Sequence, residues 1–144
     1  MIENLVLKFL KADVKLAELL GAEESGKITN CPIYPDVGQV PQLPCIIFYA
    51  DSPTSPTENP WDYTQNITYE IYAATEKAAQ DIRNRLYELL NKYDDFYLID
   101  QTNGLIVREA HAVGASVSDH FPNETIQAKT KAVSIDFRYT KCAI

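Results

Sequence analysis

The sequence predicts an α+β domain: a mainly antiparallel sheet with two principal helices packed on one face, ending in a long β-hairpin. Three observations carry this. Apolar residues recur at three- and four-residue spacing at the amino end and again after residue 75, as on one face of a helix. From residue 63 to 73, and again after residue 104, apolar and polar residues tend to alternate, the period of a strand with one buried face. Between the two helical stretches, seven of the eight prolines fall in residues 30 to 60, and proline's missing donor and fixed torsion exclude a continuous helix there. Helices set apart from a largely antiparallel sheet make the α+β class. The 144 residues fit one domain, 1–144, and at that length roughly two thirds of the unfolded chain's surface can be buried.

Each element follows from local chemistry. Ile2, Leu5, Val6, Phe9 and Leu10 form a first helical stripe, and Leu16, Ala17, Leu19 and Leu20 resume it after Asp13. A helix over residues 2 to 20 therefore carries a kink at Asp13 or divides there into two. Gly21 suits its end, because glycine accepts the left-handed conformation that closes helices. CIIFYA, residues 45 to 50, is short and apolar, as a buried strand should be. DSPTSPTENPW, residues 51 to 61, reads as a long exposed loop. Ile67, Tyr69, Ile71 and Ala73 then alternate with Asn66, Thr68, Glu70 and Tyr72.

Thr75 is an N-cap residue, and Glu76 stands in the first turn, where the helix dipole favours an acid. The helix expected over residues 76 to 93 carries Ala79, Ile82, Leu86, Leu89, Leu90 and Tyr93 on one stripe, with Asp81 and Arg85 spaced to pair on its flank. Two extended stretches follow, over residues 105 to 117 and 125 to 140, joined by DHFPNE at 119 to 124. The second changes parity, from Ile126, Ala128, Thr130 and Ala132 to Val133, Ile135, Phe137 and Tyr139. A β-bulge near Ala132, or a break into two strands, would absorb that slip.

Charge narrows the function classes. Thirteen Lys and Arg against 20 Asp and Glu leave a net charge of -7, which lacks the field that draws proteins to phosphate backbones. No apolar run approaches the ~20 residues that span a bilayer, and Met1-Ile2-Glu3 is not the basic start of a secretion signal. Three widely spaced cysteines, Cys31, Cys45 and Cys142, do not form a disulfide framework and fit a reducing cytoplasm.

Chemistry-bearing patterns are few. His111 and His120 have no further zinc ligand at close spacing. The pairs Glu23-Glu24 and Asp94-Asp95 lack the spacing of a calcium loop and read as solvated residues at helix ends. There is no nucleophile elbow, phosphate-binding glycine loop or CxxC pair. The expected catalytic, cofactor-binding and metal-ligating sets are therefore none, and the chain is expected not to be an enzyme. Two aromatic residues in proline-bearing loops, Trp61 and Phe121, are the candidate interface residues, because an aromatic outside regular structure often anchors a contact. Both could instead fold back over their own core.

The order of pieces carries more than any single residue. Leu19-Leu20-Gly21 ends an amphipathic helix; Pro32-Ile33-Tyr34-Pro35 follows; Val40-Pro41-Gln42-Leu43-Pro44 leads into the strand at 45 to 50; and the alternating strand ending at Ala74 runs directly into the helix from Glu76. This resembles the small tail-terminator, or tail-completion, proteins of long-tailed bacteriophages and prophages. The likeness covers residues 2 to 95, and the β-rich remainder matches in character. Two departures stand out: the long proline-rich loop at 51 to 61, and Ala22-Glu23-Glu24-Ser25-Gly26-Lys27-Ile28 in place of a Gly-Asp-Arg-like turn.

The resemblance implies a structural virion protein of the tail, assembled in the host bacterial cytoplasm. It implies a homo-hexamer whose ring caps the tail tube, ends tube polymerisation and meets the head-tail connector protein. The tail tube protein and that connector are its implied partners, and DNA passes the lumen without sequence-specific binding. No cofactor and no membrane are implied. A neck or head-closure connector protein is the nearest alternative. A small α+β ligand-binding module, with a pocket between sheet and helices, is the alternative from a different class.

Overall fold

A computed structural model of the chain describes residues 2–36, 42–55, 61–113 and 129–141. The first helical stripe divides at Asp13, giving α1 (Glu3–Lys11) and α2 (Val14–Leu19). Asp13 has extended backbone torsions, and its carboxylate accepts a hydrogen bond from the Leu16 amide at 2.8 Å, so it caps α2. Gly21, with φ of +72°, ends that helix as expected. A two-residue ladder follows, β1 (Glu23–Glu24) against β2 (Lys27–Ile28), turning through Ser25 and Gly26, both at positive φ.

The main sheet has six strands: β3 (Ile33–Pro35), β4 (Cys45–Ala50), β5 (Asp62–Ala73), β6 (Leu98–Asp100), β7 (Leu105–Ala112) and β8 (Lys129–Lys141). Their order is β3-β4-β5-β8-β7-β6. Every pair is antiparallel except β3 with β4, so the sheet is mixed, though mainly antiparallel as expected. Between β5 and β6 lies α3 (Glu76–Leu90), capped by the Thr75 hydroxyl, which accepts from the Ala78 amide at 3.1 Å. The chain folds as the α+β class predicted.

One face of the sheet carries the helices. Ile46 and Phe48 of β4, Ile67, Tyr69 and Ile71 of β5, and Val133, Ile135 and Phe137 of β8 meet Val6, Leu10, Leu16, Ile82 and Leu86 in one buried core. The sheet curls around α1. Leu7 lines one groove with Pro35 and Phe48, at the β3–β4 end, and another with Ile99 and Asp100, at the β6 end. An edge-to-face contact between Phe9 and Phe96, 5.5 Å between centroids, pins α1 to the segment before β6.

Four details differ from the sequence reading. The ladder between β5 and β8 runs from Asp62 opposite Thr140 to Ala73 opposite Lys129 with no slip at Ala132. The parity change has another cause. Ala132 and Ser134 are buried on the face away from the helices while Val133 and Ile135 fill the core, so both faces are covered there. The register shift lies instead in β7, where Arg108 is the extra residue between Val107 and Glu109. The second helix stops at Leu90 rather than residue 93, and Tyr93, at φ +49°, leaves the stripe. The proline-rich region contains a second short strand, β3, whose Pro35 is tolerated because it lies on an edge. Residues 114–117 and 125–128 of the expected strands, and their connection at 119–124, lie outside the described residues.

Arg85 does not turn to Asp81, which pairs with Lys77 instead. Its guanidinium donates to both carboxylate oxygens of Asp13, at 2.9 and 2.7 Å, and so clamps the start of α2 to the middle of α3. The Arg85 hydrogen bonds hold the Asp13 carboxyl below its ordinary value, against a smaller opposing effect of burial.

Two stability predictions follow from this packing. Ile82 and Leu86 are both fully buried, and Ile82→Ala or Leu86→Ala should each cost about 2–5 kcal/mol in denaturant unfolding. The Asp13 clamp sets a pH dependence. A carboxyl whose folded pKa is depressed contributes stability that is present above its unfolded pKa, about 3.9, and lost as pH falls through the lower folded value. Acid unfolding of wild type should show that loss, and Asp13→Asn should be less stable at neutral pH and lose less on acidification.

Candidate functional site

The sheet face away from the helices divides into an apolar and a polar part. At the β4 end, Cys45, Ile47 and Tyr72 are fully buried beneath Tyr34, Leu43 and Tyr49. Glu70, only 4 % exposed, stands beside them and accepts a 2.6 Å hydrogen bond from the Tyr72 hydroxyl. Burial, reinforced by the Glu70 and Asp36 carboxylates, pushes the Tyr49 phenol far above its ordinary value. Towards β8 the same face becomes a polar ladder. Thr68 and Ser134 share a 2.7 Å hydrogen bond, and Asn66 donates to Asp136 at 2.8 Å.

The ladder ends at an arginine pair built on the β7 bulge. Arg108 donates to Asp62 at 3.1 Å and to the Thr140 hydroxyl at 2.6 Å, and Thr140 in turn donates to Asp62. Arg138 lies 3.7 Å from Asp62 and 3.9 Å from Glu109, so its ion pairs are looser. Both arginines are about half exposed, which places their heads at the surface with their stems on the sheet. Arg108 and Arg138 line a shallow hollow with Asp94, Tyr97 and Glu109.

Next to this hollow the surface turns aromatic. Tyr93 is 60 % exposed, Tyr97 61 % and Ile99 45 %. They belong to the segment that enters and forms β6, an end strand of the sheet among the described residues. Tyr93 stacks flat on His111 with 5.4 Å between ring centroids, which gives that histidine a packing role. Tyrosine, arginine and an aliphatic side chain on one exposed edge match the composition of an interface core.

Of the two interface candidates read from sequence, Trp61 lies at the start of β5 and is 54 % exposed. Its carbonyl accepts from the Lys141 amide at 2.9 Å, so the backbone is fixed at the sheet while much of the indole faces solvent. Phe121, His120 and Cys142 lie outside the described residues. Cys31 and Cys45 are buried in two separate clusters, and burial pushes the Cys45 thiol up to about 11, which keeps it protonated and unreactive.

Glu23 and Glu24 form β1, the Glu23 carboxylate accepting from the Gly26 amide, while Asp94 and Asp95 stand in the turn after α3. Among the described residues, no three His, Cys, Asp or Glu side chains converge as metal ligands. The edge group around Tyr93, Tyr97 and Arg108 was not singled out from sequence. The signal for it was two tyrosines within the polar turn Lys92-Tyr93-Asp94-Asp95-Phe96-Tyr97, just past the helical stripe.

Trp61→Ala should cost clearly less protomer stability than Ile82→Ala in denaturant unfolding, because the indole is about half exposed whereas Ile82 is fully buried. A larger loss would place the indole in the protomer's own packing. A scan against models of known protein families finds no match, and neither curated proteins nor solved structures match the chain.

Proposed function

We propose that the protein is a structural, non-enzymatic component of a bacteriophage or prophage tail. Six copies close into a ring that caps the tail tube, ends its polymerisation and presents a face to the head-tail connector. The ring assembles in the host bacterial cytoplasm and resides in the virion tail. The observation that carries this reading is a six-stranded sheet whose two end strands, β3 and β6, have no outer partner among the described residues, with Tyr93, Tyr97 and Ile99 exposed at the β6 end. An unpaired edge with exposed aromatics is an association surface, and natural proteins cover such edges or use them.

The order of elements lends further support. Proline-flanked β4 precedes a long strand that feeds directly into a capped amphipathic helix, the order in which tail terminators are laid out. Rotationally symmetric rings use heterologous contacts that close, and a protomer with two chemically different edges suits that symmetry. A six-copy ring carries a formal charge of 6 × -7 = -42, and an acidic lumen would let DNA pass without adhering.

The test is mass and shape. Light scattering should give six times 16.2 kDa, about 97 kDa, and negative-stain images should show rings. Added to polymerising tail tubes, the protein should fix their length. A strict monomer that leaves tube length unchanged would overturn the reading.

A further inference from the structure

We infer that Asn103 is a site of spontaneous covalent modification, converting to aspartyl and isoaspartyl forms, and that Asp100 is a positioning residue that holds the reaction back. Of the chain's eight asparagines, Asn103 alone is followed by glycine. The pair lies in the connection between β6 and β7, where Asn103 is exposed. Gly104 has φ of +67°, a conformation that a side chain would strain, so the turn itself calls for glycine next to the amide. A following residue without a Cβ leaves its backbone nitrogen open to close approach. This inference does not depend on the ring reading.

The chemistry needs only water. The Gly104 backbone nitrogen attacks Asn103 Cγ, the Cγ–Nδ2 bond breaks, and Nδ2 leaves as ammonia with the proton that the Gly104 amide gave up. Water then opens the five-membered succinimide, at Cγ to give aspartate or at the main-chain carbonyl to give isoaspartate. Two hydrogen bonds oppose the first step. Asp100 accepts from the Asn103 backbone N–H at 3.2 Å and from Nδ2 at 2.7 Å. These bonds hold the Asp100 carboxyl below its ordinary value, so it remains a charged acceptor at neutral pH. To bring Cγ onto the Gly104 nitrogen, the side chain has to leave that grip. The product carries a carboxylate where Nδ2 donated, so two like charges meet in the turn. Isoaspartate also lengthens the main chain by a methylene, in the connection that brings Asp100 opposite Leu105.

Peptide mass mapping of the full chain, aged at mildly alkaline pH, tests this. Residue 103 should convert from amide to acid before the other asparagines, and isoaspartate should accompany aspartate, because the succinimide opens both ways. Asp100→Ala should speed the conversion by about fivefold, the worth of one hydrogen bond at a solvated site. Asp100→Asn, whose side-chain oxygen can still accept from Nδ2, should stay close to the wild-type rate. A turn that was merely looser would speed both variants alike. Conversion led by another asparagine, or aspartate formed without isoaspartate, would overturn the site. Equal rates in wild type and Asp100→Ala, or equal acceleration in the two variants, would overturn the role of Asp100.

Discussion

The antiparallel ladder between β5 and β8 is the constraint on which the other elements depend. It keeps one register from Asp62 opposite Thr140 to Ala73 opposite Lys129, so a slip of one residue would turn the side chains of the slipped strand to the wrong face. β4 pairs with the outer side of β5, and β7 with the outer side of β8. The ladder also sets the position of α3. β5 ends at Ala73, and within two residues Thr75 caps the helix that folds back over the strands just left. Lys131 of β8 reaches Glu76 in the first turn of that helix at 2.6 Å. This contact is exposed on the Glu76 side, so its service is orientation more than stability.

The two faces of the ladder have different tasks, and the sequence shows both. Odd-numbered residues from Ile67 to Ala73 and from Val133 to Tyr139 meet the helices. The even-numbered residues opposite them are Asn66, Thr68, Ser134 and Asp136, which satisfy one another across the strands. Part-buried polar groups paired in this way disfavour alternative registers, because a shifted strand would leave them without these partners. Glu70 and Tyr72 break the polar series: they lie on the same face but are buried, beside Cys45 and Ile47. That end of the face is a second, small core.

Local signals made most of the fold legible. The stripe from Ile2 to Leu20, broken at Asp13, gave two helices because the residue that interrupts the apolar series is also a capping residue. The alternation from Ile67 and the Thr75 cap placed β5 and α3 for the same kind of reason. What could not be read was what depends on distant partners. Arg85 is spaced to pair with Asp81, yet it takes Asp13, 72 residues away in sequence, because a two-oxygen contact in a half-buried niche outweighs an exposed helical pair. Ala132 looked like a slip because it is buried on the face away from the helices, next to core-facing Val133. The candidate site shows the same division. Trp61 was legible as a lone aromatic in a proline-rich loop, whereas Tyr97 and Arg108 became a group only when β7 paired with β6 and its bulge turned an extra arginine to the surface.

The two sheet edges also differ in how a neighbour can use them. On β3, Pro35 has no N–H, and the Ile33 amide already bonds to the Cys31 carbonyl at 2.8 Å, so neither offers a donor to an incoming strand. Continuous strand addition is thereby blocked at that end, which prevents the open sheet-on-sheet growth that unguarded edges invite. The groove beside it is lined by Leu7, Pro35, Phe48 and Ala50 together with Glu3 and Asp36. β6 is too short to template a long ladder, and the large exposed side chains there are Ile99 and, just before the strand, Tyr97.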